Sequence, residues 1–143
     1  MSALKLVDTN IIVYAFDSSD KKKHKLAMEL LDDCFERKVQ FYLSTQNISE
    51  FYNVVTRFVD NPVPKSEAMN ICKKIIGFSG FIKLVPTPSA MIRAMDIDKE
   101  YGSGYWDALI AATMLDNGVG IIITENTRDF MKIPGISIEN PFG

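Results

Sequence analysis

Imidazole and thiol, the soft-metal ligands, are scarce in this chain of 143 residues, which has one His and two Cys, and it carries a single Trp. The cysteines, Cys34 and Cys72, lie far apart and form no C-x-x-C pair, so no dithiol motif is present. Each recurs with apolar residues at helical spacing, Leu26, Leu30 and Leu31 before Cys34 and Ala68 and Ile75 around Cys72, which predicts two buried thiols. Net charge is only −2, from 16 basic and 18 acidic residues, and this excludes nucleic-acid binding through global charge alone. No apolar run is long enough to span a membrane, and the charge at Lys5 comes too early for a signal peptide. The expectation is a reduced, cytoplasmic protein with no membrane contact.

What the chain does have is a steady alternation of short apolar runs and amphipathic stretches. A composition of 47% hydrophobic and 24% charged residues suits one packed core, and the length suits a single domain over 1–143. Apolar runs at 4–7, 41–43, 81–85, 120–124 and 136–138 read as buried strands. Helical spacing is expected over 11–16, then from Asp20 with Leu26, Ala27, Leu30, Leu31, Cys34 and Phe35 as the apolar face. A third helix from Asn47 carries Ile48, Phe51, Val55 and Phe58 and must stop before Asn61-Pro62-Val63-Pro64, because proline cannot continue the ladder. Further helices are expected over 66–77, from a Ser89 cap to about residue 100, and over 105–116 after Gly102-Ser103-Gly104. With no internal repeat and no long linker, the fold class is α/β, a three-layer α/β/α sandwich with a central parallel sheet.

Against that frame the acids form a pattern. Asp8, Glu50 and Asp107 are each read as falling just after a buried strand, at or inside the first turn of the helix that follows, and Asn126 and Asp129 repeat the placement. Singly, each has a structural explanation: Asp8 as an N-cap, Glu50 three residues after Asn47 in capping-box spacing, Asp107 in a dipole-favoured first turn, Asn126 and Asp129 as another capping box. Independent caps need not follow separate buried strands, whereas a site at the carboxyl edge of a parallel sheet requires it. Two carboxylates about 4 Å apart repel by roughly 4 kcal/mol at an effective dielectric of 20, so a convergence of three or four calls for a cation. Oxygen ligands without His or Cys select a hard ion, Mg²⁺ with Mn²⁺ as a substitute, and such ions bind phosphate oxygens.

Other phosphate chemistries lack their residues. A haloacid-dehalogenase-type phosphatase needs a second Asp where Asn10 stands, and the acid spacing does not supply a response regulator's set. No G-x-G-x-x-G follows the first strand and no Walker loop is present. The only basic cluster, Lys21-Lys22-Lys23-His24-Lys25, opens a helix; it reads first as a solvated face and second as a salt-sensitive hold on RNA phosphates through Lys21, Lys22, Lys23 and Lys25. His24 is not expected to be catalytic. Phe51, Tyr52, Phe58, Phe78 and Phe81 read as core or subunit contacts, and Trp106, beside Asp107, is the exception that invites a role with bases.

The segments Val7-Asp8-Thr9-Asn10-Ile11-Ile12-Val13-Tyr14-Ala15, Gln46-Asn47-Ile48-Ser49-Glu50-Phe51, Tyr105-Trp106-Asp107-Ala108-Leu109-Ile110-Ala111-Ala112 and Thr124-Glu125-Asn126-Thr127-Arg128-Asp129-Phe130 resemble the PIN-domain ribonucleases, particularly the VapC toxins of prokaryotic toxin–antitoxin pairs. Lys23-His24-Lys25-Leu26-Ala27 is a looser match, and order and spacing agree along the chain. The resemblance implies a central parallel sheet and metal-dependent hydrolysis of single-stranded or loop RNA, such as transfer or ribosomal RNA. It also implies a small antitoxin partner and a homodimer. By position, Asp8, Glu50 and Asp107 would be the metal-binding acids. The fourth place falls on Asn126, where many relatives carry Asp, which leaves Asn126 or Asp129 to complete the catalytic set. Thr9, Asn10 and Thr124 are expected to orient acids or waters. The alternative from another class is a catalytically silent RNA-binding or protein-binding module that keeps the fold.

Overall fold

The structure, a computed structural model, describes residues 3–143. Five strands, β1 (Lys5–Val7), β2 (Phe41–Ser44), β3 (Phe81–Leu84), β4 (Ile121–Ile123) and β5 (Ser137–Glu139), pair in the order β3-β2-β1-β4-β5 with every pairing parallel. Seven helices occupy the connections: α1 (Thr9–Phe16), α2 (Lys21–Phe35), α3 (Thr45–Arg57), α4 (Lys65–Gly77), α5 (Pro88–Tyr101), α6 (Tyr105–Asp116) and α7 (Thr127–Phe130). The chain leaves β1 toward β2 on one side and returns to β4 on the other, so the order reverses between β1 and β4. That reversal opens a crevice at the carboxyl edge, the usual ligand position of such sheets.

Alternation along the strands divides the core in two. Val7, Phe41, Leu43 and Ile123 join one apolar cluster with residues of α1, α2, α3 and α4. Leu6, Tyr42 and Ile122 point to the opposite face and pack with residues of α5, α6 and α7. Successive side chains of a strand face opposite ways, so three or four residues per strand suffice to feed both layers. Helix α6 explains the continuous run from Ala108 to Met114: each of these residues is buried, because the helix lies deep against the sheet rather than on its surface.

Several expected boundaries move for identifiable reasons. Helix α3 begins at Thr45, not Asn47, because Ser44 is its N-cap and Asn47 is the third helical residue. The capping box pairs Ser44 with Asn47: the Ser44 hydroxyl accepts from the Gln46 N–H at 3.2 Å and the Asn47 Oδ1 accepts from the Ser44 N–H at 3.0 Å. Glu50 is thereby released from capping. Helix α5 is capped by Thr87, whose hydroxyl accepts from the Ala90 N–H at 3.0 Å, with Pro88 rather than Ser89 opening the helix. Phe58 sits at the end of α3, 66% exposed under the Arg57 guanidinium, where core spacing no longer applies. Cys34 and Cys72 are both buried and free.

Candidate active site

Asp8 leaves β1 and caps α1, its Oδ1 accepting from the Thr9 N–H at 2.8 Å. The carboxylate is only 5% exposed and is met by three side-chain donors. The Thr124 hydroxyl and the Asn10 amide donate to Oδ2 at 2.7 and 3.3 Å, and the Asn47 amide donates to Oδ1 at 3.3 Å. Thr124 directly follows β4, whose pairing with β1 delivers it, whereas Asn47 comes from the first turn of α3. Burial raises the Asp8 carboxyl above its ordinary range, and the Thr124 and Thr9 hydrogen bonds pull against that rise.

Glu50 lies one turn beyond Gln46 on α3. Among the described residues, the only buried side-chain polar atoms without a hydrogen-bond partner are Gln46 Oε1 and Glu50 Oε1. Burial raises the Glu50 carboxyl, the Gln46 side chain pulls against that rise, and the Asp8 charge adds to it. Asp107, in the first turn of α6, accepts from the Asn126 amide at 2.9 Å, and the same Asn126 Nδ2 reaches Asp129 Oδ2 at 3.3 Å. The Asp107 carboxyl is pushed up to about 7, first by burial and then by the charges of Asp8 and Asp129, with the Asn126 amide opposing.

Asp8, Glu50 and Asp107 share the wall of one cavity of about 300 Å³ with Thr9, Asn10, Val13, Tyr14, Val54 and Asn126. Among the described residues, no three His, Cys, Asp or Glu are drawn together tightly enough to hold an ion unaided. A hydrated hard cation needs no such cage: Mg²⁺ is commonly held by one or two carboxylates, keeping several waters and completing its shell on substrate phosphates. The donors fit such an ion. They are carboxylate oxygens, one of them unpartnered, around a place where burial and then the charges of Asp8 and Asp129 push the Asp107 carboxyl up to about 7.

The profile of the PIN-domain family matches residues 5–136. The chain belongs to the PIN-domain family. Solved structures with the same fold include a toxin–antitoxin complex from Klebsiella pneumoniae, 24% identical, with a TM-score of 0.65 and 98% of each chain covered. The Mycobacterium tuberculosis toxin VapC20, described as cleaving the sarcin–ricin loop, is 14% identical with a TM-score of 0.70, covering 87% of this PIN domain and 92% of that chain. The DNA-bound VapBC of Salmonella typhimurium is 19% identical with a TM-score of 0.64, covering 98% of this chain and 99% of that one. No curated protein matches this PIN domain in sequence.

Of the residues singled out from sequence, Asp8, Glu50, Asp107, Thr9, Asn10 and Asn126 meet at the cavity wall, while Thr124 and Asp129 stand outside it, each bonded to a wall residue. Asn126 precedes α7 but makes no side-chain cap bond there; its amide is committed to the two acids instead. In the basic cluster, Lys21, Lys22 and Lys25 are exposed, whereas Lys23 is ion-paired to Glu125, which also accepts from the Tyr14 hydroxyl at 2.7 Å. His24 Nδ1 lies 2.8 Å from the Tyr14 carbonyl oxygen, and none of these basic residues lines the cavity. Sequence reading missed Asn47, Tyr14 and Glu125 as parts of the site. The Ser44-x-x-Asn47 spacing held a local hint of the first; the others depend on residues more than a hundred positions apart.

Proposed function

We propose that residues 1–143 act as one domain, a divalent-metal-dependent endoribonuclease that hydrolyses RNA phosphodiester bonds as the toxin of a toxin–antitoxin pair. The observation that carries this reading is the convergence of Asp8, Glu50 and Asp107 on one cavity at the β1–β4 reversal, with Glu50 Oε1 left unpartnered. Asp8, Glu50 and Asp107 would hold Mg²⁺, with Mn²⁺ as a substitute. When bound, such an ion polarises a phosphoryl oxygen and makes its water more acidic.

The chain's own groups divide the remaining work. Thr124, Thr9, Asn10 and Asn47 fix the Asp8 carboxylate so that neither oxygen can turn away. Asn126 holds Asp107 by one donated hydrogen bond and couples Asp129 to it through the other, which gives Asp129 an indirect catalytic role. Among the described residues the wall contains no Ser, Cys or His, which favours water over a side chain as the attacking group. Lys21, Lys22 and Lys25, exposed at the start of α2, can meet RNA phosphates, while Lys23 secures Glu125. The Klebsiella neighbour, described as a toxin–antitoxin complex, supports a small antitoxin partner for this chain as well, and a homodimer in a cytoplasmic setting belongs to the same proposal. Among the described residues no helix is long and apolar enough to cross a membrane.

The test is cleavage of labelled transfer and ribosomal RNA with Mg²⁺, with Mn²⁺ and with EDTA, alongside Asp8→Ala. Metal-dependent cuts that vanish in the variant are expected. Intact RNA under every metal, with retained RNA or protein binding, would replace the nuclease by a silent binding module.

A further inference from the structure

Trp106 is the only tryptophan of the chain, and it is 65% exposed. An isolated exposed apolar side chain needs no explanation in general. This one is held in place on both sides of the acidic cavity. Its backbone belongs to the first turn of α6, where the next residue is the wall carboxylate Asp107. Its carbonyl oxygen accepts from the Gln46 amide at 3.0 Å, and Gln46 lies one turn before Glu50 on α3. Trp106 thus bridges the two helices that carry Glu50 and Asp107.

The ring itself is buttressed. Tyr105, half-buried against the α5–α6 core, meets the indole edge-on, with centroids 5.1 Å apart and planes at 72°. The Gln46 side chain is engaged inside the protein, its amide on the Trp106 carbonyl and its Oε1 buried away from solvent. An exposed aromatic ring, buttressed by Tyr105 and next in the chain to a carboxylate of the cavity wall, is the equipment for one unpaired nucleotide next to a reacting phosphate. The ring stacks on the base, while a neighbouring phosphate reaches the acidic cavity.

We propose that Trp106 is a stacking platform for an unpaired base flanking the scissile phosphate. The inference rests on the nuclease reading for the word scissile, but base stacking can be measured without cleavage. Because Trp106 is the sole tryptophan, emission excited at the red edge, where tyrosine does not absorb, reports on this ring alone.

The full chain, without added metal, is titrated with a mixed-sequence single-stranded RNA octamer, with the same octamer as a duplex, and with an abasic octamer of the same charge. Emission is read beside fluorescence anisotropy of the labelled RNA. Quenching by the single strand, and none by the abasic or duplex forms, is expected. In parallel, Trp106→Ala should lower kcat/KM on single-stranded RNA by about 5- to 150-fold, the rate equivalent of one stacked base, with Trp106→Phe retaining most activity. Binding by anisotropy with unchanged emission would overturn the proposal, as would wild-type cleavage by Trp106→Ala. Emission that shifts with protein concentration alone, and no longer responds to RNA, would assign the ring to a contact between copies and overturn it too. Quenching by single-stranded RNA from a chain that cuts nothing would leave the stacking role standing and remove the nuclease reading.

Discussion

A single amide decides how much negative charge the cavity tolerates. Asn126 donates to Asp107 and Asp129 at once, so it joins two carboxylates that would otherwise repel across the same space. An Asp at this position would remove both donors and add a third like charge. For Asn126→Asp without metal, a loss of about 1–3 kcal/mol in urea unfolding at pH 8 is expected, together with tighter Mg²⁺ binding by calorimetry. Unchanged stability and unchanged metal affinity would show that the amide is not what holds Asp107. Thr124 acts similarly on Asp8 but through a hydroxyl delivered by the neighbouring strand.

Helix starts do double duty in this fold. The first turn of α3 is built by the Ser44–Asn47 capping box, and the free side of the same Asn47 amide reaches Asp8 Oδ1 and Thr9 Oγ1 at 3.3 and 3.1 Å. The helix cap and the site therefore share one fully buried side chain. Asn47→Ala strips the cap and orphans a buried carboxylate oxygen, so a destabilisation of about 2–4 kcal/mol is expected by denaturant unfolding, with activity falling in the folded fraction. Ser44→Ala, which leaves Asp8 untouched, should cost about 1 kcal/mol and spare activity. Similar activity losses in the two variants would contradict this division. At the far end of α5, Gly102 takes a left-handed φ of 68°, which stops the helix and lets the chain turn into α6 and Asp107.

Over the whole molecule, the crowded acids make metal-free stability depend on pH in an unusual direction. Asp107 holds its proton up to about pH 7 in the folded chain, against an ordinary value of 3.8. Between those values the native state binds more protons than the unfolded one, so stability is fully present below about pH 4 and declines as pH rises through 7. The raised carboxyls of Asp8 and Glu50 act in the same sense. The Asp107 contribution is at most about 4 kcal/mol. Denaturant unfolding in EDTA from pH 4 to pH 8 should show this decline, and Asp107→Asn should flatten it. A pH-independent wild type would mean that the carboxyls are not crowded. Saturating Mg²⁺ at pH 8 should recover stability, by about 2.7 kcal/mol at a hundredfold excess over its dissociation constant. Neutralising Lys21, Lys22 and Lys25 together should reduce the salt dependence of RNA binding, whereas an unchanged slope would make those lysines a solvated face only.

The sequence by itself determined the alternation of strands and helices, because buried parallel strands need continuous apolar runs and their covering helices need a repeating apolar stripe. It also placed Asp8 directly after β1 and Glu50 on the helix that follows β2, positions that a parallel sheet gathers at one edge. Glu50 stands in the second turn of α3 rather than the first. Asp107 follows no strand, because α5 and Gly102-Ser103-Gly104 precede α6, so the packing of α6 rather than a strand end brings it to that edge. Boundaries slipped where a side chain chose its partner locally: Ser44 rather than Asn47 opened α3, and Thr87 rather than Ser89 opened α5. Only the tertiary structure decided which donors face each acid. Thr124 meets Asp8 across 116 positions and Asn47 meets it across 39, contacts that follow from strand order and helix docking rather than from spacing. The same holds for the Tyr14–Glu125–Lys23 cluster, which takes one lysine out of the basic run, and for the exposed ring of Trp106. Periodicity records which face of an element is apolar; the partner of a polar group is set by what folding brings opposite it.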